Sequence, residues 1–220
     1  MSDLMRTDIT DPAAGEPVSA ERMKAFTDAV VAIAMTLLIL PLLETVSDGA
    51  DEGQSTAQWL GQNFWPLFAF VLSFVVIANF WVSHHQLFAR VERVSYALLW
   101  ITIGWMLTIV WLPVVTAMVG QVDSDVLQKV LYIGTMAISC IVLLFTRVYL
   151  RAHRELHDIP DETLRRDIGA DALGAVMFLV CLLVAVFVPW ISYSAMFLMV
   201  LLGPLERVGM RARRRSDTPG

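Results

Sequence analysis

Six stretches of this chain are both apolar enough and long enough to cross a hydrocarbon core, and no other feature restricts its folding so tightly. A helix needs about 20 mostly apolar residues to cross about 30 Å of acyl chain. Residues 23–43, 59–82, 96–119, 126–148 and 168–188 meet that length, and residues 191–205, flanked by Pro189 and Pro204, meet it marginally. A composition of 57% hydrophobic and 17% charged residues lies outside the soluble range and agrees. The expected fold is an all-α integral membrane bundle of six helices in one unit, residues 22–207. It lies between a polar tail at residues 1–21, expected to be disordered, and a basic tail at residues 208–220. The first tail carries Asp3, Arg6, Asp8, Asp11 and Glu16 with no apolar run, so it does not read as a cleaved signal segment.

The formal charge of -5 conceals a sorted distribution. Lys and Arg are retained on the cytoplasmic side of membrane proteins. With the loops assigned alternately to the two sides, all of the 16 Lys and Arg except Lys129 fall on one side. The opposite loops hold Glu44, Asp48, Asp51, Glu52, Asp123 and Asp125. Both termini are therefore expected in the cytoplasm, and the chain in the cell membrane as a multi-pass protein. In the linker at residues 147–167 the fourth helix is expected to run on into water and to break at Pro160, with Asp161 and Glu162 opening the next helix. The run Arg207, Arg211, Arg213, Arg214 and Arg215 reads either as an orientation signal or as a contact with anionic lipid.

Polar groups inside a membrane are costly and must find partners. Asp28 lies about 9 Å past Arg22 along a helix, which places a carboxylate below the headgroups. Lys24, at i−4, is one candidate partner, and Trp81, His84 and His85 at the same end of the second helix are others. Two readings stand open: a hydrogen-bonded clamp between two helices, or an ionisable group on an ion pathway. Past Asp28, Val30, Ile33, Leu37 and Leu40 recur at helical spacing as an apolar stripe, with Ala29, Ala32, Ala34 and Thr36 between them. Small residues let helices approach closely in lipid, and periodicity alone fits packing more readily than a pore wall.

Catalytic signals are absent: there is no Ser/His/Asp order, Cys-x-x-Cys or phosphate-binding glycine loop, so no catalytic residue and no enzyme activity is expected. His84 and His85 point about 100° apart on a helix and are poorly placed to grip one metal. His153 and His157, at i and i+4, read as solvated rather than as metal ligands, and Cys140 and Cys181 read as small hydrophobes. No metal, cofactor or nucleic-acid partner is expected.

The stretch Arg22-Met23-Lys24-Ala25-Phe26-Thr27-Asp28, followed by Ala32-Ile33-Ala34-Met35-Thr36-Leu37-Leu38, resembles the Arg-x-x-x-Phe-Ser-Asp signature of the transmembrane protein 175 family. Ser73-Phe74 with Phe80-Trp81-Val82-Ser83-His84-His85 resembles that family's Trp-x-x-His element, and Leu112-Pro113 in the third helix fits as well. The likeness is sharp over residues 22–43 and 64–90. The family comprises potassium-selective cation channels of prokaryotic membranes and animal lysosomes, and a single six-helix unit resembles its prokaryotic, tetrameric type.

The resemblance implies a homotetramer in the lipid bilayer, with K+ as the permeant ion among monovalent cations. It also implies a pore lined by the first helices in place of a Thr-Val-Gly-Tyr-Gly filter. Ile33 would be the principal constriction, Leu37 and Leu40 further rings, and Thr36 a hydroxyl layer. Arg22, Phe26, Thr27 and Asp28 with Trp81 and His84 would form the network that holds the pore helix. Two positions depart from the pattern: Thr27 stands for the motif's Ser and keeps its hydroxyl, and Thr102 stands where the family often has Asn. The alternatives are a proton channel or proton-coupled transporter using Asp28 and His84, and a non-transporting membrane scaffold.

Overall fold

Prolines set the breaks at the amino-terminal end of the bundle. The structure, a computed structural model, describes residues 19–121 and 125–187. The expected sixth helix at residues 191–205, most of the first tail and the Arg run at residues 207–215 lie outside the described residues. Those described are all-helical: α1 (Ala20–Leu37), α2 (Leu40–Asp51), α3 (Thr56–Gln62), α4 (Phe64–Phe88), α5 (Tyr96–Gln121), α6 (Val126–Ala152) and α7 (Asp161–Phe187), with a 3₁₀ turn at Arg154–Leu156. Among the described residues, five spans are long and apolar enough to cross a membrane: α1 and α2 taken together, α4, α5, α6 and α7.

The first span was expected as one helix and is two. Pro41 has no N–H to offer the carbonyl of Leu37, and its ring crowds that carbonyl; α1 ends at Leu37 and α2 begins at Leu40. The same rule operates at the second span, expected from residue 59. Pro66 withdraws the bond to Gln62, which is where α3 ends before α4 starts at Phe64. Trp59 ties α3 back to α2 through its indole N–H, which donates to the Thr45 carbonyl at 2.9 Å. Gly49 is required there, because a Cβ at that position would lie 2.9 Å from the Trp59 ring. Asp161 and Glu162 open α7 as expected, favoured by the helix dipole, so the fifth span begins earlier than residue 168.

The helix α6 packs between α5 and α7, α5 also contacts α4, and α1 lies against α4 and α5. The core is apolar, with Ile77, Leu98, Ile109, Leu112, Ile133, Met136 and Leu150 almost fully buried. Hydroxyl pairs tie the helices together across it. Tyr132 of α6 and Ser73 of α4 share a bond of 2.7 Å, Thr116 of α5 donates to Ser73 at 2.8 Å, and Ser139 of α6 donates to Thr108 of α5 at 2.7 Å. Lipid tails give apolar helices no reason to prefer one another, so contacts of this kind fix which helices pair. Leu107, Trp100, Phe145, Val176 and Leu183 are each more than half exposed on the outside, the belt that a bundle embedded in lipid presents.

Two basic residues depart from expectation. Arg147, placed by sequence at the start of a solvated linker, is buried: its Nε donates to Asp171 at 2.5 Å and its guanidinium meets Asp167 at 3.1 Å. The reason is that α6 and α7 both extend through this region face to face, and Asp167 and Asp171 stand one turn apart on α7. Lys129, the exception to the charge sorting, is buried as well, and its ammonium donates to the Ala185 carbonyl at 3.3 Å. The residue four positions beyond Ala185 is Pro189, which has no amide hydrogen for that carbonyl.

Candidate pore helix and its anchor

The helix α1 has two faces. Met23, Thr27, Val31 and Ala34, with Leu38 just beyond the helix end, are buried on one of them, α4 and α5 being the neighbours of α1. On the other, Phe26, Ile33, Leu37 and Leu40 are 60%, 59%, 38% and 49% exposed, and Val30 of the same stripe is half-buried. Ala25, Ala29, Ala32 and Thr36 are exposed alongside them. Thr27 is fully buried, and its hydroxyl donates to the Met23 carbonyl at 2.9 Å, so the hydrogen-bonding capacity expected of the motif's Ser is used within the helix. The Thr36 hydroxyl donates to the Ile33 carbonyl at 2.7 Å and keeps its lone pairs for the outward side.

The buried edge is fastened at Asp28. The Trp81 indole N–H of α4 donates to Asp28 Oδ1 at 2.8 Å, and His85 Nδ1 stands 3.9 Å from Oδ2. Lys24 turns instead to Glu21 at 2.9 Å. Trp81 and His85 are one helical turn apart, with ring centroids 5.4 Å apart, so both reach α1. His84 points elsewhere for the same geometric reason. Buried on the α5 side, it stacks on Trp105 at 4.3 Å and on Phe88 at 4.2 Å. Neither His84 Nε2 nor Trp105 Nε1 has a hydrogen-bond partner among the described residues, and the contact between them is a stack of rings. Thr102, where the family often has Asn, folds its hydroxyl onto the Leu98 carbonyl at 2.9 Å, and Trp105 one turn on takes the contact with His84.

Of the residues proposed to hold the helix, then, Asp28 and Trp81 are bonded to each other, Thr27 packs beside them, and His84 supports the α4–α5 contact. Arg22 and Phe26 lie on the exposed face. Of the two adjacent histidines that the sequence offered as partners for Asp28, His85 is the one that approaches it. Trp81→Phe is expected to destabilise the fold by about 1–2 kcal/mol, because a hydrogen bond to a partly exposed carboxylate is lost. Asp28→Asn, which keeps an accepting oxygen, should cost less; thermal unfolding of the two variants in the same detergent checks the order. Equal losses would mean that charge rather than the indole bond holds the contact.

Fold and site together define a multi-pass α-helical membrane protein whose first span is fastened to the second by a carboxylate–indole bond and turns an apolar strip outward. Residues 22–113 match the family described as "Endosomal/lysosomal potassium channel TMEM175". Among curated relatives, a potassium channel of Streptomyces collinus is 40% identical over 103 residues, 46% of this chain and 47% of the relative. The endosomal/lysosomal proton channel TMEM175 of Bos taurus is 38% identical over 85 residues, 36% of this chain and 18% of that one. The chain thus spans about half the length of the bacterial relative and less of the bovine one. A crystal structure of a lysosomal potassium-selective channel TMEM175 homolog from Chamaesiphon minutus superposes with a TM-score of 0.70 at 22% identity, covering 85% of this chain and 97% of that one, and so has the same fold. The family resemblance and the all-helical membrane fold expected from sequence are both borne out.

Proposed function

We propose that the chain is one subunit of a tetrameric, potassium-selective cation channel whose pore is lined by α1. Ile33 is the principal constriction, Leu37 and Leu40 are further rings toward the outside, and Thr36 is a hydroxyl layer among them. The observation that carries this reading is the division of α1 into a fastened face and an outward strip in which large apolar side chains alternate with Ala and Thr. One helix cannot enclose a pore, but four copies about an axis can, and small residues beside the large ones allow those copies to approach. A ring of Ile offers no ligand to a dehydrated ion, so it controls passage through the wetting of the constriction. Glu44, Asp48, Asp51 and Glu52, exposed at the α2 end, would concentrate cations at the outer mouth. Both termini are then cytoplasmic and the membrane is the cell membrane. Potassium as the permeant ion rests on the names of the bacterial relatives.

A second reading, proton permeation, is favoured by the bovine relative's name and by Asp28, whose half-exposed carboxylate borders a cleft of about 210 Å³ shared with Glu21, Lys24, His84 and His85. Reconstitution into vesicles with separate potassium and pH indicators, alongside native mass measurement, separates the two. A tetramer that passes K+ in preference to Na+ is expected. Proton flux without K+ flux, abolished in Asp28→Asn, would establish the second reading, and a monomer passing neither ion would sink both.

A further inference from the structure

Two loops at one end of the bundle are joined by backbone bonds, and the imidazole of His157 shapes the segment that makes them. The segment after α4 and the segment after α6 pair through a single antiparallel bridge between Val91 and His157. The amides of Glu92 and Arg93 donate to the Leu156 carbonyl at 2.9 and 3.2 Å, and the amide of Asp158 donates to the Arg90 carbonyl at 3.0 Å. The ring of His157 makes two bonds beneath this pairing. Its Nε2 meets the Leu150 carbonyl at 2.9 Å, and its Nδ1 accepts the amide of Ile159 at 3.0 Å. A carbonyl can only accept and an amide can only donate, so the ring must carry its proton on Nε2 and leave Nδ1 bare. That is the neutral ring in one tautomer, fixed by its partners.

A second proton has one place to go, Nδ1, where it would face the Ile159 N–H. The bond is lost and two like dipoles oppose each other at its former length. His153, four residues earlier, is the instructive contrast. Its Nδ1 meets the Tyr149 carbonyl at 3.0 Å and its ring stacks on Tyr149 at 4.1 Å. There Nδ1 is the donor in either charge state, and a second proton goes to Nε2 with no bond broken. Taking up a second proton therefore has opposite structural consequences at these two residues.

We propose that His157 is a proton-operated latch: neutral, it holds the loop after α4 to the loop after α6, and protonated, it releases them. The other charged groups on the packed segments are Arg90, Glu92 and Arg93 on the facing loop, Arg151 at the end of α6, and Arg154, Glu155, Asp158 and Asp161 on the latch's own segment and the start of α7. All of these are exposed. The proposal does not depend on which ion the protein conducts.

Hydrogen exchange of the full chain in lipid nanodiscs tests it, read as protection factors so that intrinsic base catalysis cancels. On going from pH about 7.5 to about 5.5, across the histidine range, the amides of Glu92, Arg93 and Asp158 should lose roughly tenfold or more of their protection. His157→Asn keeps an oxygen that can accept the amide two residues on but does not titrate, so its protection factors should stay level with pH. His153→Gln should respond to pH as the unaltered chain does. Protection factors in the unaltered chain that do not change with pH would overturn the latch, and so would an acid-induced loss that persists in His157→Asn.

Discussion

Replacing Arg147 with Met is expected to cost about 3–5 kcal/mol of folding stability, the range for removing one partner of a buried ion pair. The guanidinium is 7% exposed and pairs with two carboxylates of α7, one of them equally buried. Moving either partner into a low-dielectric bundle is expensive, and the attraction between them offsets that expense only while both are present. Arg147→Lys should fall between the two, since an ammonium keeps the charge but cannot reproduce the two-pronged contact to Asp167 and Asp171. Removing a carboxylate as well, in Arg147→Met with Asp171→Leu, should recover part of the loss, because a matched apolar pair no longer buries charge. Thermal or denaturant unfolding in a fixed detergent measures all three. If Arg147→Met unfolds at the midpoint of the unaltered chain, the contact between α6 and α7 is held by apolar packing and the ion pair is incidental.

That ion pair also marks where sequence reading stops. The spans were legible because about 20 apolar residues in a row admit few other structures, and the start of α7 was legible from Asp161 and Glu162. The breaks after Leu37 and Gln62 could also have been read, since Pro41 and Pro66 each stand four residues beyond a helix end. What apolar runs do not encode is rotation. The helices α4 and α5 are hydrophobic nearly all the way round, so nothing in their sequences says whether His84 or His85 faces α1, or that Trp105 rather than Thr102 meets His84. Those facts follow from how the helices pack. Arg147 was misplaced for the same reason: charge alone assigned it to water, and only the facing of α6 on α7 brings Asp167 and Asp171 to it. The helix α1 was more readable because its faces differ in size, large residues alternating with Ala and Thr on the side left uncovered.

On the pore reading, Ile33→Ala should raise potassium flux through the tetramer by roughly tenfold or more while weakening discrimination against sodium. Each chain loses three side-chain carbons, worth about 0.8 kcal/mol apiece on a transfer scale. Repeated over four chains, the change in the cost of wetting the ring exceeds the ~1.4 kcal/mol that corresponds to a factor of ten. Ile33→Asn should act in the same direction with a larger effect, because it also brings hydrogen-bonding groups to the ring. Val31→Ala is the comparison that gives the result its meaning. It sits two residues away on the same helix but is 1% exposed, on the buried face of α1. Its truncation should lower stability by about 1–3 kcal/mol, as buried truncations do, and leave ion discrimination alone. Unchanged currents in both Ile33 variants, through an assembly verified as a tetramer, would remove α1's outward strip from the pore. A change of selectivity in Val31→Ala and not in Ile33→Ala would move the conduction path to the opposite face of the helix.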